Sequence, residues 1–167
     1  MNRPLQVLVI EDSEDDAALL AVELRRAGYA PVCHRVETPE ALGLALQRQA
    51  WDLIIADYSL PRFDGLTALV LVREKGLDVP FIIVSGHISE ETAVAAMKAG
   101  AHDYVMKEKL ARLGPAVERE LREAEVRRGR HRAEEDLRRA YDELETRVQE
   151  RTADLKTANA RLQAAIA

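Results

Sequence analysis

The chain's 167 residues, 47% hydrophobic and 32% charged, suit one globular domain with an appendage and exclude a disordered or collagen-like polymer. Cys33 is the sole cysteine, which excludes an internal disulfide, and no apolar run approaches the roughly 18 residues that a membrane-crossing helix needs. The net charge of −5 falls on residues 1–111, where 17 Asp and Glu outnumber 11 Lys and Arg, a balance that argues against nucleic-acid binding by that part.

The opening MNRPLQVLVI puts one Arg before a short apolar run that acidic residues follow at once, unlike an export signal. The expected location is the cytoplasm, with neither nucleic acid nor membrane as partner. Apolar runs at 5–10, 30–36, 53–56, 81–84 and 104–106 are too short for buried helices and read as strands covered on both faces. Helical spacing follows the first run, through Ala18, Leu19 and Val22, and stops at Gly28. A helix over 38–49 opens with Thr38 as cap and Pro39 in its first turn. Two more, over 66–75 and 89–99, stop at Gly76 and Gly100, the second with Glu90 and Glu91 facing the first-turn dipole. Five βα units predict an α/β fold, a parallel sheet with helices on both faces and ligands at the carboxyl ends of its strands.

From about Leu110 the strands stop, and Ala, Glu, Arg and Leu mark a long helix. Leu137, Tyr141, Leu144, Val148, Leu155, Ala158 and Leu162 fall at heptad spacing, with Arg151 in the one skipped position. An upstream stripe, Val117, Leu121 and Ala124, runs out of phase with this seam, and the polar join 127–136 includes Gly129. A helix of this length would run roughly 84 Å at ~1.5 Å per residue, more than one small domain covers. The seam predicts a homodimer through a coiled coil. The basic run RRGRHR at 127–132 lies between acidic stretches and reads as a solvated helix face.

The strand ends carry the chemistry. Glu11 and Asp12 follow the first run, Asp57 the third, Ser85 ends the fourth, and Lys107 follows the fifth. Three carboxylates that converge repel one another, and a hard divalent cation such as Mg²⁺ relieves them. A carboxylate so placed can attack phosphorus in line while the metal and Lys107 neutralise the equatorial oxygens, giving an acyl phosphate. Each residue alone is more simply a cap, a turn former or a solvated side chain; the set of five is not. The four histidines have no metal-site spacing, and Trp51 reads as packing.

The stretches VLVIEDSEDD, DLIIADYSLPRFDGL, PFIIVSG and AMKAGAHDYVMK resemble the receiver domain of bacterial response regulators, over about residues 4–125. The resemblance implies a flavodoxin-like doubly wound (βα)5 sheet of strand order 2-1-3-4-5, with a receiver over 1–125 whose last helix overlaps the long helix of 110–167. It implies Asp57 as phosphoacceptor, fed by a histidine kinase or phosphotransfer protein, and Mg²⁺ held by Asp12, Asp57 and the Ser59 backbone carbonyl, with Glu11 acting mainly through water. Lys107 then pairs with the phosphoryl group, Ser85 is the hydroxyl that moves toward it, and Tyr104 is the aromatic switch. One departure stands out: Glu108 follows Lys107 where most relatives have Pro, so a trans bond is expected there. Ser59 and His87 occupy positions that tune phosphoryl lifetime in the family.

The tail stretch ELETRVQERTADLKTANARLQ resembles the helical linker that joins sensory modules to histidine kinase or diguanylate cyclase outputs. That favours a parallel dimer and a chain that is a piece of a longer protein. The expected function is a phosphorelay receiver, not an enzyme. Two alternatives differ in class: a phosphorylation-independent interaction module, and a phosphatase with an aspartyl-phosphate intermediate. The phosphatases carry an acidic Asp two residues after the nucleophile, where this chain has Ser59.

Overall fold

The computed structural model describes residues 3–87 and 89–167. Five strands, β1 (Arg3–Ile10), β2 (Tyr29–Val36), β3 (Leu53–Asp57), β4 (Phe81–Ser85) and β5 (Asp103–Met106), form one sheet. Its order is β2-β1-β3-β4-β5, and every pairing is parallel. Helices α1 (Glu14–Arg26), α2 (Pro39–Arg48), α3 (Gly65–Glu74), α4 (Glu90–Ala99) and α5 (Leu113–Ile166) follow the strands in turn. The expected flavodoxin-like fold is present.

Side chains alternate across each strand, which sorts the core into two layers. Leu8, Ile10, Ile54, Ala56 and Ile83 face α2, α3 and α4 through Leu42, Leu46, Leu69, Val72 and Ala96. Val7, Val9, Ile55, Ile82 and Val84 face α1 and the first turns of α5 through Leu20, Leu24, Leu113, Val117 and Leu121. Strands covered on both faces must be apolar at every position, and β3 and β4 are buried throughout. Their ends are the exception, because the run stops where the polar residues begin.

The helix starts shift from the sequence reading because the expected first residues are caps. Thr38 and Ser89 lie in extended conformation and accept bonds from Ala41 N–H and Thr92 N–H, each at 3.2 Å. Asp64 caps α3 in the same way, accepting from Thr67 N–H at 2.6 Å. β2 and β5 each begin one residue earlier than the apolar runs suggested. A 3₁₀ turn, Lys107–Arg112, precedes α5, so the long helix begins at Leu113 rather than near Leu110. Pro115 falls in the first turn of α5, where its missing N–H leaves no helix bond unmade. No described peptide bond is cis, so Lys107–Glu108 is trans as expected.

The chain divides after Ala124 into two units. Val117, Leu121 and Ala124, read from sequence as an out-of-phase seam, are buried in the first unit against the sheet. The second unit is helical through Ile166, including across Gly129. Leu137, Tyr141, Leu144, Val148, Leu155 and Leu162 are all exposed on it. Within the basic run, Arg130 pairs with Glu134 at 2.8 Å and His131 lies 3.3 Å from Glu135, each one helical turn on. Among the described residues no helix is long and apolar enough to cross a membrane.

Gly65 is where the fold comes closest to the end of β3. A Cβ built there would stand 2.9 Å from the Asp57 carbonyl oxygen and 3.2 Å from Tyr58 Cα. Both are backbone, and Gly65 N–H is bonded to Tyr58 O at 3.0 Å, so nothing yields cheaply. Gly65→Ala is expected to lower unfolding free energy by about 2 kcal/mol. Urea unfolding measures it, and an unchanged midpoint would show that the loop after β3 is looser than it looks.

Candidate functional site

The carboxyl ends of β1, β3, β4 and β5 bring Glu11, Asp12, Asp57, Ser85 and Lys107 to one edge of the sheet. Glu11 and Asp57 are buried, 1% and 7% exposed, while Asp12 is exposed. One carboxylate oxygen from each of Glu11, Asp12 and Asp57 lies within 4.8 Å of the others. The donors are all oxygen and all acidic, which suits a hard divalent cation of Mg²⁺ type. Asp57 Oδ1 also accepts from Ser59 N–H at 3.1 Å, which ties the following loop back to the acceptor.

The β1–α1 turn is held from two sides. Glu11 Oε1 accepts from Ser13 N–H at 3.1 Å. Arg35, near the end of β2, donates through Nη1 to the backbone oxygens of Glu11 at 3.0 Å and Asp12 at 3.3 Å. Lys107 Nζ reaches Asp57 Oδ2 at 2.8 Å and Glu11 Oε2 at 3.1 Å. Its shortest bond, 2.6 Å, goes to Asp16 Oδ2 on α1. Sequence reasoning missed Asp16 and Arg35. Asp16 is one of three acids in the first turn of α1, and only the α1 orientation separates it from its neighbours; nothing in the residue pattern points to Arg35.

Ser85 is buried, and its Oγ donates to the His87 backbone oxygen at 2.9 Å. Tyr104 is half-buried and lines an open groove of about 560 Å³ with Glu90, Ala93, Val94, Met97 and Lys98 of α4.

Charge is unevenly balanced in the pocket. Burial pushes the Glu11 carboxyl above its ordinary value of 4.5; bonds from Ser13 N–H and Lys107 pull it partway back, and the Asp57 charge adds to the rise. Partial burial disfavours the Lys107 ammonium, but its bonds to Asp16, Asp57 and Glu11 outweigh that and hold it above the ordinary lysine range. Lys107 therefore stays charged throughout the working range of pH.

The model of the response regulator receiver domain family matches residues 7–118. Nitrogen assimilation regulatory protein NtrX of Azorhizobium caulinodans is 35% identical over 125 residues, 73% of this chain and 27% of that protein. Transcriptional regulatory protein PrrA of Mycobacterium tuberculosis is 35% identical over 102 residues, 61% of this chain and 43% of that protein. The chain thus spans less than half the length of either. The crystal structure of the signal receiver domain of a putative LuxO repressor protein from Vibrio parahaemolyticus superposes with a TM-score of 0.66 at 28% identity, covering 74% of this chain and 95% of that one.

A carboxyl that holds its proton more tightly when folded stabilises the fold below its unfolded pKa and loses that contribution as pH rises through the folded value. Ionised Glu11 is therefore a cost to the metal-free fold at neutral pH. Glu11→Gln, unfolded by urea in EDTA, is expected to be more stable than the parent at pH 7, by up to about 1 kcal/mol. The gap should close as pH falls toward 4.5, the ordinary value. A variant less stable at pH 7 would mean that the Lys107 and Ser13 bonds outweigh the burial of charge.

Proposed function

The chain belongs to the response regulator receiver domain family, and from that premise we propose that Asp57 accepts a phosphoryl group from the phospho-histidine of a histidine kinase or phosphotransfer protein. The observation that carries the reading is the Lys107 ammonium 2.8 Å from Asp57 Oδ2, beside the grouped oxygens of Glu11, Asp12 and Asp57. An Asp57 oxygen attacks phosphorus, the bond from phosphorus to the donor imidazole nitrogen breaks, and the imidazole keeps the electron pair. Lys107 turns a hydrogen bond from the carboxylate to a phosphoryl oxygen. Glu11, Asp12, Asp57 and the Ser59 carbonyl would hold Mg²⁺, which when bound neutralises charge on the carboxylates and the phosphoryl oxygens.

The acyl phosphate adds about one unit of negative charge to Asp57 at neutral pH. Ser85 then exchanges its bond to His87 O for one to the phosphoryl group, and Tyr104 turns into the space that Ser85 leaves. The domain acts once on each donor and is not an enzyme for external esters: Ser59 offers no general acid where the aspartyl-phosphate phosphatases have one.

The exposed stripe of Leu137, Tyr141, Leu144, Val148, Leu155, Ala158 and Leu162 pairs with the same stripe of a second copy, as a parallel coiled coil carrying the switch to an output domain. The names of PrrA and NtrX describe regulators, PrrA a transcriptional one, so the expectation that no nucleic acid is involved draws no support from the relatives.

Acetyl phosphate with Mg²⁺ is expected to label the protein with one phosphoryl group per chain, and labelling should vanish in Asp57→Ala and in EDTA. Labelling that survives Asp57→Ala would remove the assignment. For the tail, Leu144→Glu is expected to convert a dimer to a monomer in sedimentation equilibrium, with the first unit's urea midpoint unchanged. A parent protein already monomeric at tens of micromolar would end the coiled-coil proposal.

A further inference from the structure

α1 opens with Glu14, Asp15 and Asp16, and any of the three complements the helix dipole. Glu14 pairs with Arg35, whereas Asp16 points Oδ2 at Lys107 Nζ, 2.6 Å away. Asp16 is not one of the three carboxylates grouped to hold a cation. Its backbone is fixed, since Asp16 N–H donates to the capping Ser13 Oγ at 3.2 Å. An ammonium has three N–H donors, and Glu11, Asp16 and Asp57 take one each. Lys107 reaches them on a flexible four-carbon stem, so one anchor would leave its nitrogen free to swing. A cavity of about 50 Å³ beside the pair, lined by Glu11, Asp16, Leu20, Val84, Lys107 and Leu110, gives it room to do so.

Resting on the phosphoacceptor reading above, we propose that Asp16 is a positioning residue for phosphoryl transfer. Asp16 and Glu11 together fix Lys107 Nζ, and its third N–H is left aimed at Asp57. Phosphorylation replaces only that third partner, an Asp57 oxygen giving way to a phosphoryl oxygen, while the other two bonds persist. The ammonium therefore meets the transferring group without first reorganising. Asp16 is 36% exposed, so its truncation leaves no buried hole.

The test is the rate of labelling by acetyl phosphate in saturating Mg²⁺, for the parent, Asp16→Ala and Asp16→Asn, each with Lys107 and with Lys107→Ala. Asp16→Ala is expected to slow labelling about fivefold, the effect of one partly screened charge-assisted hydrogen bond. Asp16→Asn keeps an acceptor oxygen and should slow it less. Neither should matter once Lys107 is Ala, because coupled residues do not add. A parent-like rate in Asp16→Ala overturns the proposal, and so does an equal slowing in the Lys107→Ala background. A parent that takes no label, while ¹⁵N spectra of metal-free protein still show the Lys107 ammonium signal lost in Asp16→Ala, would overturn the function and leave the anchoring intact. A signal unchanged by Asp16→Ala would overturn the anchoring itself.

Discussion

One partly buried ammonium, Lys107, set among the carboxylates of Glu11, Asp16 and Asp57 is the constraint on which the rest of the molecule depends. Glu11 is sealed at the end of β1, Asp57 nearly so at the end of β3, and Lys107, which reaches both, comes from the end of β5. Placing charge in a poorly hydrated site is costly unless each charge finds partners. Here Glu11, Asp57 and Lys107 lie at the ends of β1, β3 and β5, so the bonds among them form only when those strands share one sheet. The loops serve the same end: Ser13 N–H, Ser59 N–H and the Arg35 guanidinium each fasten a turn at the acidic edge. Among the described residues no buried side-chain nitrogen or oxygen is left without a partner.

That balance is nevertheless incomplete. Lys107 brings one positive charge to Glu11, Asp16 and Asp57, and Asp12 lies beside them. A site in deficit of positive charge is poised to take a cation, and on the proposed function it becomes more negative still once Asp57 is phosphorylated. Any such change must be answered by the groups free to move, and these are few. Ser85 donates to the nearby His87 carbonyl, a bond within its own loop. Tyr104 is half-buried beside an open groove on α4. On the proposed function, the groups tied by several bonds would hold charge while Ser85 and Tyr104 respond to it, a division of labour that a two-state element requires.

The fold was readable because both-face burial leaves a plain mark. Val7 to Ile10, Leu53 to Ala56 and Phe81 to Val84 are apolar at every position because each side of the sheet has helices on it. The acids, the hydroxyl and the lysine that break those runs name the edge where the site lies. Asp16 was not readable, because a first-turn acid that complements a dipole looks the same as one that reaches across to another strand. The orientation of α1, set by Leu20 and Leu24 packing on the sheet, makes the difference. The stripe of Val117, Leu121 and Ala124 misled for a related reason: spacing gives the period of an apolar face but does not say what covers it.

The tail turns on that same ambiguity. Val117 and Leu121 have the spacing of a coiled coil and are covered by β1, β3, β4 and β5 instead. Leu137 and the residues that continue its phase have the same spacing and are exposed. An isolated helix is marginal in water, and most helical stability comes from packing of an apolar face. Ion pairs such as Arg130 with Glu134 are exposed and screened by water, and too weak to replace that packing. On the proposed pairing, a second copy would present the same stripe in the same phase and cover it symmetrically. Arg151 in the seam, and Gly129 ahead of it, mean that the pairing so formed is held less firmly than an unbroken leucine seam would be.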